Sequence, residues 1–258
     1  MTPLIRLGLE HELALWRRAG HTPVLWWRDD DARERTPALE RLCALSDAHA
    51  LPLTLAVVPA GRPEEMAALA GEHPLISLAQ HGVAHANRAP NGEPPSEITA
   101  TDDVESAAAM IGAARARMQD AGAAPIFFAP PWNRTEAPLE AALAAIGMRR
   151  LSGFGGYASR SGAVQRVDVH LDVLRWGGGP RFRGEARFLA RLRRLLADRR
   201  ASGGWDEPIG LLTHHLDHDG PTWDFLDRFL AWGKRTCVVR SAAQVFGGEA
   251  ALPHAASA

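Results

Sequence analysis

The sequence predicts an α/β fold on a mainly parallel sheet, open or closed into a barrel. Two observations carry this. Apolar strand-like runs alternate with helical patterns through most of the 258 residues, without an internal repeat. The residues with the greatest chemical potential fall at the C-terminal ends of those runs, where parallel α/β folds gather their chemistry. The chain is long enough for one large domain or two small ones. We read one domain over residues 1–246 and a frayed tail over 247–258.

Each element follows from local pattern. Pro3 to Ala19 reads as an amphipathic helix. Four apolar residues between Pro23 and a charged cluster make Val24 to Asp29 a buried strand. Thr36-Pro37 has the cap and first-turn form of a helix start. Leu51 to Pro59 is a second strand, Pro63 to Ala70 a helix, and the run after Pro74 a third strand ending at His81. Residues 86–98, rich in Pro, Gly and Asn, form a loop. Thr101-Asp102 begins an alanine-rich helix that stops near Gly122. Ile126 to Ala129 is a short strand ending in Pro130-Pro131, and Thr135 to Ala145 is a helix with Gly147 at its end. Met148 to Ser152 reads as a strand, residues 153–162 as a glycine-rich turn, and Val164 to Val173 as another strand. A glycine corner (Gly177 to Gly179) leads into an arginine-rich helix. There Phe188, Leu189, Leu192, Leu195 and Leu196 recur at helical spacing, which favours a solvated amphipathic face over a basic binding patch. Ile209 to Thr213 is a strand, Pro221 to Trp232 a helix, and Cys237 to Arg240 the last strand.

The net charge of −1 argues against a partner in nucleic acid or at a membrane surface. The two cysteines, Cys43 and Cys237, sit far apart among apolar neighbours and read as buried free thiols, which excludes a cysteine metal site. Charges scattered through the first twenty residues fit an amphipathic helix rather than a signal peptide, and no apolar stretch approaches a membrane span. The expected location is cytoplasmic.

Three adjacent carboxylates, Asp29-Asp30-Asp31, end the first strand. Their mutual repulsion is best tolerated where a cation or a proton transfer needs them. The alternative is an acidic turn in which Asp31 or Thr36 caps the next helix. His81-Gly82-Val83-Ala84-His85 places two imidazoles four residues apart, on one face of a helical turn, as two ligands of one metal require. Eleven histidines make one such pair unremarkable, and His214/His218 is a second that could form a separate site. His81, His85 and one carboxylate would supply the three protein ligands of a site left open for water.

Asp-Asp after the first strand, His-x-x-x-His after a later one, the segment Phe128-Ala129-Pro130-Pro131-Trp132-Asn133 and Leu212-Thr213-His214 occur in this order. The set resembles the polysaccharide deacetylases, the NodB-homology enzymes, over roughly Val24 to His215. The resemblance implies a single-domain distorted (β/α) barrel of about seven strands and a metal-dependent deacetylase acting on a small-molecule or carbohydrate substrate. Position by position it makes Asp29 the general base, Asp30 a metal ligand beside His81 and His85, and His214 the acid that protonates the leaving group. His215 is the alternative acid. Asp31 stands where the family has Gly, so a register one residue later makes Asp30 the base and Asp31 the ligand. Strand side chains alternate, so the backbone must curl here for two neighbouring carboxylates to face one site.

Pro130 and Pro131 lack an N–H, which leaves the Trp132 amide as the first after the strand to meet an oxyanion; a rigid Pro131 loop with Trp132 as core cover is the alternative. Asp172 would orient His214, and Trp176 would wall the acyl pocket. Zinc is the expected metal for one Asp and two His, with cobalt or manganese on the same ligands. Ala129 replaces the arginine that in the family pairs with the base, and Arg28 or Arg134 would have to substitute. The same change motivates a second reading, a catalytically impaired carbohydrate-binding or regulatory protein. A deformylase or other amidohydrolase would share every ligand. The missing leader points to small or biosynthetic substrates, such as an N-acetylated sugar or a sugar on a carrier.

Overall fold

The structure, a computed structural model, describes residues 3–135, 137–156, 162 and 164–247. The tail expected over 247–258 lies outside these from residue 248 on, and the turn over 153–162 lies partly outside. In chain order the elements are α1 (Pro3–Arg18), β1 (Val24–Ala32), α2 (Pro37–His49), β2 (Leu53–Val57), α3 (Pro63–Glu72), β3 (Ile76–His81) and α4 (Val104–Asp120). They continue with β4 (Pro125–Ala129), α5 (Ala137–Ala145), β5 (Arg150–Leu151), β6 (Gln165–Arg166), β7 (Leu171–Asp172), β8 (Leu174–Arg175) and β9 (Arg181–Phe182). The last are α6 (Glu185–Ser202), β10 (Ile209–Thr213), α7 (Gly220–Thr236), β11 (Val238–Val239) and α8 (Ala242–Val245). Thr36 caps α2 by accepting from the Leu39 N–H, as its Thr-Pro start predicts.

The main sheet runs β6-β5-β4-β3-β2-β1-β10-β7, with β11 beside the start of β1. Every pairing in it is parallel. Its two ends belong to one extended segment, residues 165–172, read from sequence as a single strand. On one side Val167 N–H donates to Leu151 O and Val169 N–H to Gly153 O; on the other His170 N–H donates to Gly210 O. The segment therefore closes the sheet into a distorted barrel of seven staves, β6 and β7 counting as one. Gly210 permits this closure. A Cβ there would lie 2.6 Å from the Val169 Cα and 2.7 Å from the Trp26 indole nitrogen.

Parallel sheets bury both faces, and two apolar layers result. Trp26, Ala56, Ala79, Phe127, Ala129, Val169 and Leu212 fill the barrel interior, with Phe246 closing one end 5.1 Å from Phe127. Outside, Leu25, Trp27, Leu53, Leu55, Leu171 and Leu211 meet the helices through Leu39, Met66, Phe188, Leu192, Leu226 and Phe229. The arginine-rich helix is α6, amphipathic as its spacing predicts: Phe188, Leu189, Leu192 and Leu196 are buried. Leu195 is only half-buried, as is Cys237; Cys43 is buried, and both thiols are free. No helix among the described residues is long and apolar enough to cross a membrane.

His170 reports on the closure. Its Nδ1 accepts from the Gly210 N–H at 3.0 Å, and its Nε2 lies 2.9 Å from Gly156 O and 3.1 Å from an Arg199 nitrogen. Burial, then the Arg199 charge, push the imidazole down to about 4. The unfolded chain thus takes up a proton between the ordinary histidine value and about 4 that the folded chain refuses. Stability is expected to fall by on the order of 3 kcal/mol as pH drops through this window and to be regained above it. Denaturant titrations of metal-free protein from pH 7 to 4 check this: the slope should be shallower in His170→Gln by that amount, and equal slopes would refute it.

Candidate metal centre

The site begins with the alternation of β1. Trp26 points into the barrel, and the next inward positions are Arg28 and Asp30. Asp29 points the other way. Arg28 pairs with Thr54 and Asp29 with Leu55, but Ala32 pairs with Val57, so β1 carries one residue more than β2 over this stretch. That extra residue is a β-bulge, and Asp31 in it has φ 69°. The curl that two neighbouring carboxylates require is therefore present, one residue later than the first register places it.

Asp31 faces the two histidines. Its Oδ1 lies 3.3 Å from His81 Nε2 and 3.0 Å from His85 Nε2. The three ligand atoms lie within 4.8 Å of one another, and this is the one such cluster among the described residues. The donor set fits a divalent metal on two counts. The Asp31 Oδ1 is buried without a hydrogen bond. His81 Nδ1 is 3.0 Å from Ala129 O, which fixes the proton there and leaves Nε2 as a free lone pair. Burial alone would raise the Asp31 carboxyl, but the neighbouring His81 and His85 imidazoles hold it below the usual range.

The two histidines do not sit on a helical turn. After β3 the chain bends through left-handed residues, Gly82 at φ 63° and His85 at φ 56°. Glu97, from the proline-rich loop, holds the bend: its buried carboxylate accepts from the Val83 and Ala84 N–H groups at 2.8 Å and from Ala86 at 3.3 Å. Pro131 packs beneath Gly82 rather than lining the cavity, and the Trp132 ring lies 4.4 Å from that of His85.

Arg28 forms an ion pair with Asp30: Nη2 donates to Oδ2 at 2.9 Å, and Nε stands 2.8 Å from Oδ1. It is fully buried, and Ser152 and Asn133 take its remaining bonds. An arginine from β1 thus enters the interior that Ala129 of β4 leaves without one. Arg134, the other candidate, lines the cavity without pairing to an aspartate. Across the site His214 Nε2 stands 4.0 Å from Asp30 Oδ2, and its unpartnered Nδ1 stands 4.0 Å from Asp172 Oδ1. Asp172 accepts from the Leu174 N–H and the Trp176 indole, each at 2.8 Å. Burial pushes its carboxyl up. A cavity of about 590 Å3 joins Asp30, Asp31, His81, His85, Trp132, Asp172, Trp176 and His214.

Two expected positions are corrected. Asp29 does not face the cavity; buried on the outer side, it accepts from the His215 N–H at 3.1 Å and lies 2.5 Å from His215 Nδ1. That contact also removes His215 from the cavity. Asp30 is taken up by Arg28, and Asp31 stands with the histidines in its place. Glu97 and Ser152 carry no motif of their own and escape sequence reasoning, and Asn133 closes the Pro-Pro segment without a role assigned to it there.

The bend leaves no room at Gly82, where a Cβ would lie 2.1 Å from Glu97 Oε2 and 2.5 Å from Pro131 Cγ. Gly82→Ala is expected to cost at least about 2 kcal/mol in denaturant unfolding, from the left-handed backbone and the displaced carboxylate. Glu97→Gln, which turns an amide donor toward backbone donors, is expected to weaken metal affinity roughly 10- to 100-fold in chelator competition. Unchanged affinity in both variants would separate the bend from the site.

No family model and no curated protein matches the sequence. Solved structures do. A family 4 carbohydrate esterase from Streptomyces lividans, in complex with acetate, superposes with TM-score 0.55 at 15% identity, covering 89% of this chain and 97% of that one. A Mycobacterium smegmatis protein assigned to the polysaccharide deacetylases gives TM-score 0.65 at 18% identity, covering 88% and 90%. A family 4 acetyl xylan esterase from Clostridium thermocellum, in complex with cobalt, gives 0.52 at 18%, covering 86% and 90%. With its closed parallel barrel and its cluster at the strand C-ends, the chain has the NodB-type fold of the polysaccharide deacetylases.

Proposed function

We propose that this protein is a metal-dependent deacylase that removes an acetyl group from an N-acetylated sugar or a related amide. The observation that carries the reading is the meeting, in one cavity, of the Asp31-His81-His85 donor set with Asp30 on one side and His214 on the other. The carbohydrate esterases of the same fold, one with acetate and one with cobalt, support it.

Asp31, His81 and His85 would hold the metal, with zinc the expected ion and cobalt or manganese compatible with the same ligands. When bound, such an ion polarises a carbonyl and acidifies water. Asp30, held by the Arg28 ion pair, accepts the proton of the attacking water at a carboxylate oxygen. His214 donates a proton from Nε2 to the departing amine, and Asp172 orients its ring from the Nδ1 side. Trp176, whose ring meets His214 edge-on at 4.6 Å, and Leu212 wall the acyl group. The Trp132 amide serves the oxyanion. Arg28 answers the argument for a retired enzyme, because the base has its arginine from another strand.

Three neighbouring substitutions separate the roles. Asp30→Asn should retain metal and lose about 100- to 10,000-fold in kcat, the range for removal of a general base. Asp31→Asn should lose metal, read by elemental analysis. Asp29→Asn should keep metal and most activity while lowering thermal stability. If Asp29→Asn abolishes acetate release in folded, metal-loaded protein, the assignment of Asp30 falls. Parallel assays with N-formyl and N-acetyl substrates distinguish a deformylase.

A further inference from the structure

The cavity has a charged wall that amide hydrolysis does not use. Arg183 lines it and is held rigidly, its Nε donating to Asp172 O at 2.9 Å and one terminal nitrogen to Leu174 O at 2.7 Å. Both partners are backbone carbonyls, so the guanidinium is fixed without an ion pair among the described residues. Arg134 lines the same cavity from the loop after β4, exposed and likewise without an ion pair among the described residues. Arg183 belongs to a segment, residues 174–194, with seven arginines and one acid in a chain of net charge −1. Of those seven only Arg194 forms an ion pair among the described residues. Burial and then Arg181 and Arg187 pull the Arg175 guanidinium below its ordinary value, which is how cations crowded together without counter-ions behave.

The position of this charge matters as much as its size. Arg183 binds the backbone of Asp172, the residue behind His214. In the proposed reaction the leaving nitrogen, which stays with the sugar, lies in the cavity that His214, Arg183 and Arg134 line together. A neutral sugar would give neither guanidinium an anion to pair with. The N–H groups left over on the two side chains match the several oxygens and double charge of a phosphate group.

We propose that the substrate is an acylated sugar bearing a phosphate group, and that Arg183 and Arg134 bind that phosphate at the cavity wall. The acyl half of this statement rests on the deacylase reading; the phosphate half does not. Phosphate on a sugar has two sources, a soluble sugar phosphate or nucleotide sugar and a lipid carrier.

Calorimetric titration tests it on the metal-loaded protein and on metal-free His81→Ala/His85→Ala, which removes direct metal–phosphate contact. N-acetylglucosamine 1-phosphate is expected to bind both at least about tenfold more tightly than N-acetylglucosamine, the scale of one or two charge-assisted hydrogen bonds. Added salt should erase the difference. Arg134→Gln, which breaks no side-chain bond among the described residues, should reduce it, and Arg134→Gln/Arg183→Gln should abolish it while neutral-sugar binding stays. Equal binding of the two sugars, or a preference that survives the double variant, overturns the proposal. Acetate release measured alongside keeps the two readings apart: equal release from both sugars sinks only the phosphate site, and a phosphate preference without any release sinks only the deacylase. A nucleotide-diphosphate sugar and a polyprenyl-phosphate-linked sugar in detergent, run in parallel, identify the source by which binds more tightly.

Discussion

The site depends on one extra residue in β1. A regular strand would send Asp29 and Asp31 to the same face and leave Asp30 alone on the other. The bulge at Asp31, with its left-handed backbone, turns that carboxylate back toward the barrel mouth beside Asp30. Three adjacent acids then acquire three separate partners: His215 for Asp29, Arg28 for Asp30, and the His81/His85 pair for Asp31. Mutual repulsion within the run is eased because each carboxylate has its own polar partner in a different direction. Asp29 is thus a brace, and by tying His215 to β1 it also fixes the residue next to His214.

Positions around this run are set by groups that do no chemistry. Glu97 gathers three backbone N–H groups, two between the histidines and one just after His85, a use of a buried carboxylate that leaves none of the three orphaned. Arg28 spans from β1 to Ser152 beyond β5 and to Asn133 after β4, so the carboxylate it aims is referenced to three places in the barrel. Such fixed surroundings hold the polar groups of the cavity within a narrow range of positions.

Most of the architecture was legible in the sequence, because long apolar runs and helix starts carry their own periodicity. Strands β1, β2, β3, β4 and β10 lie where their patterns place them, and the chemical residues do stand at their C-ends. The register of the aspartates was not legible. Both Trp26 and Trp27 are buried, one inside the barrel and one outside, so alternation has two equally apolar solutions and cannot say which acids point inward. The family pattern, with Gly at the third position, gave no guide to a chain with Asp there. His81 and His85 do stand side by side, but their spacing suggested a helical turn where Gly82 and Glu97 impose a bend. Glu97 itself reads as one acid in a polar loop. The hairpin of β8 and β9 escaped because two-residue strands show no period.

The segment 165–172 has a consequence for the molecule's behaviour in a crowded solution. Because it serves as neighbour to both β5 and β10, the main barrel offers, among the described residues, no long row of unpaired amides to which a foreign strand could add. An exposed edge persists at the short β8–β9 ribbon, and there the chain places Arg175 and Arg181 opposite each other. Like charges on a ribbon margin discourage strand-to-strand stacking between molecules. Arg175 and Arg181 therefore stand where gatekeepers against self-association belong, on the ribbon beside Arg183.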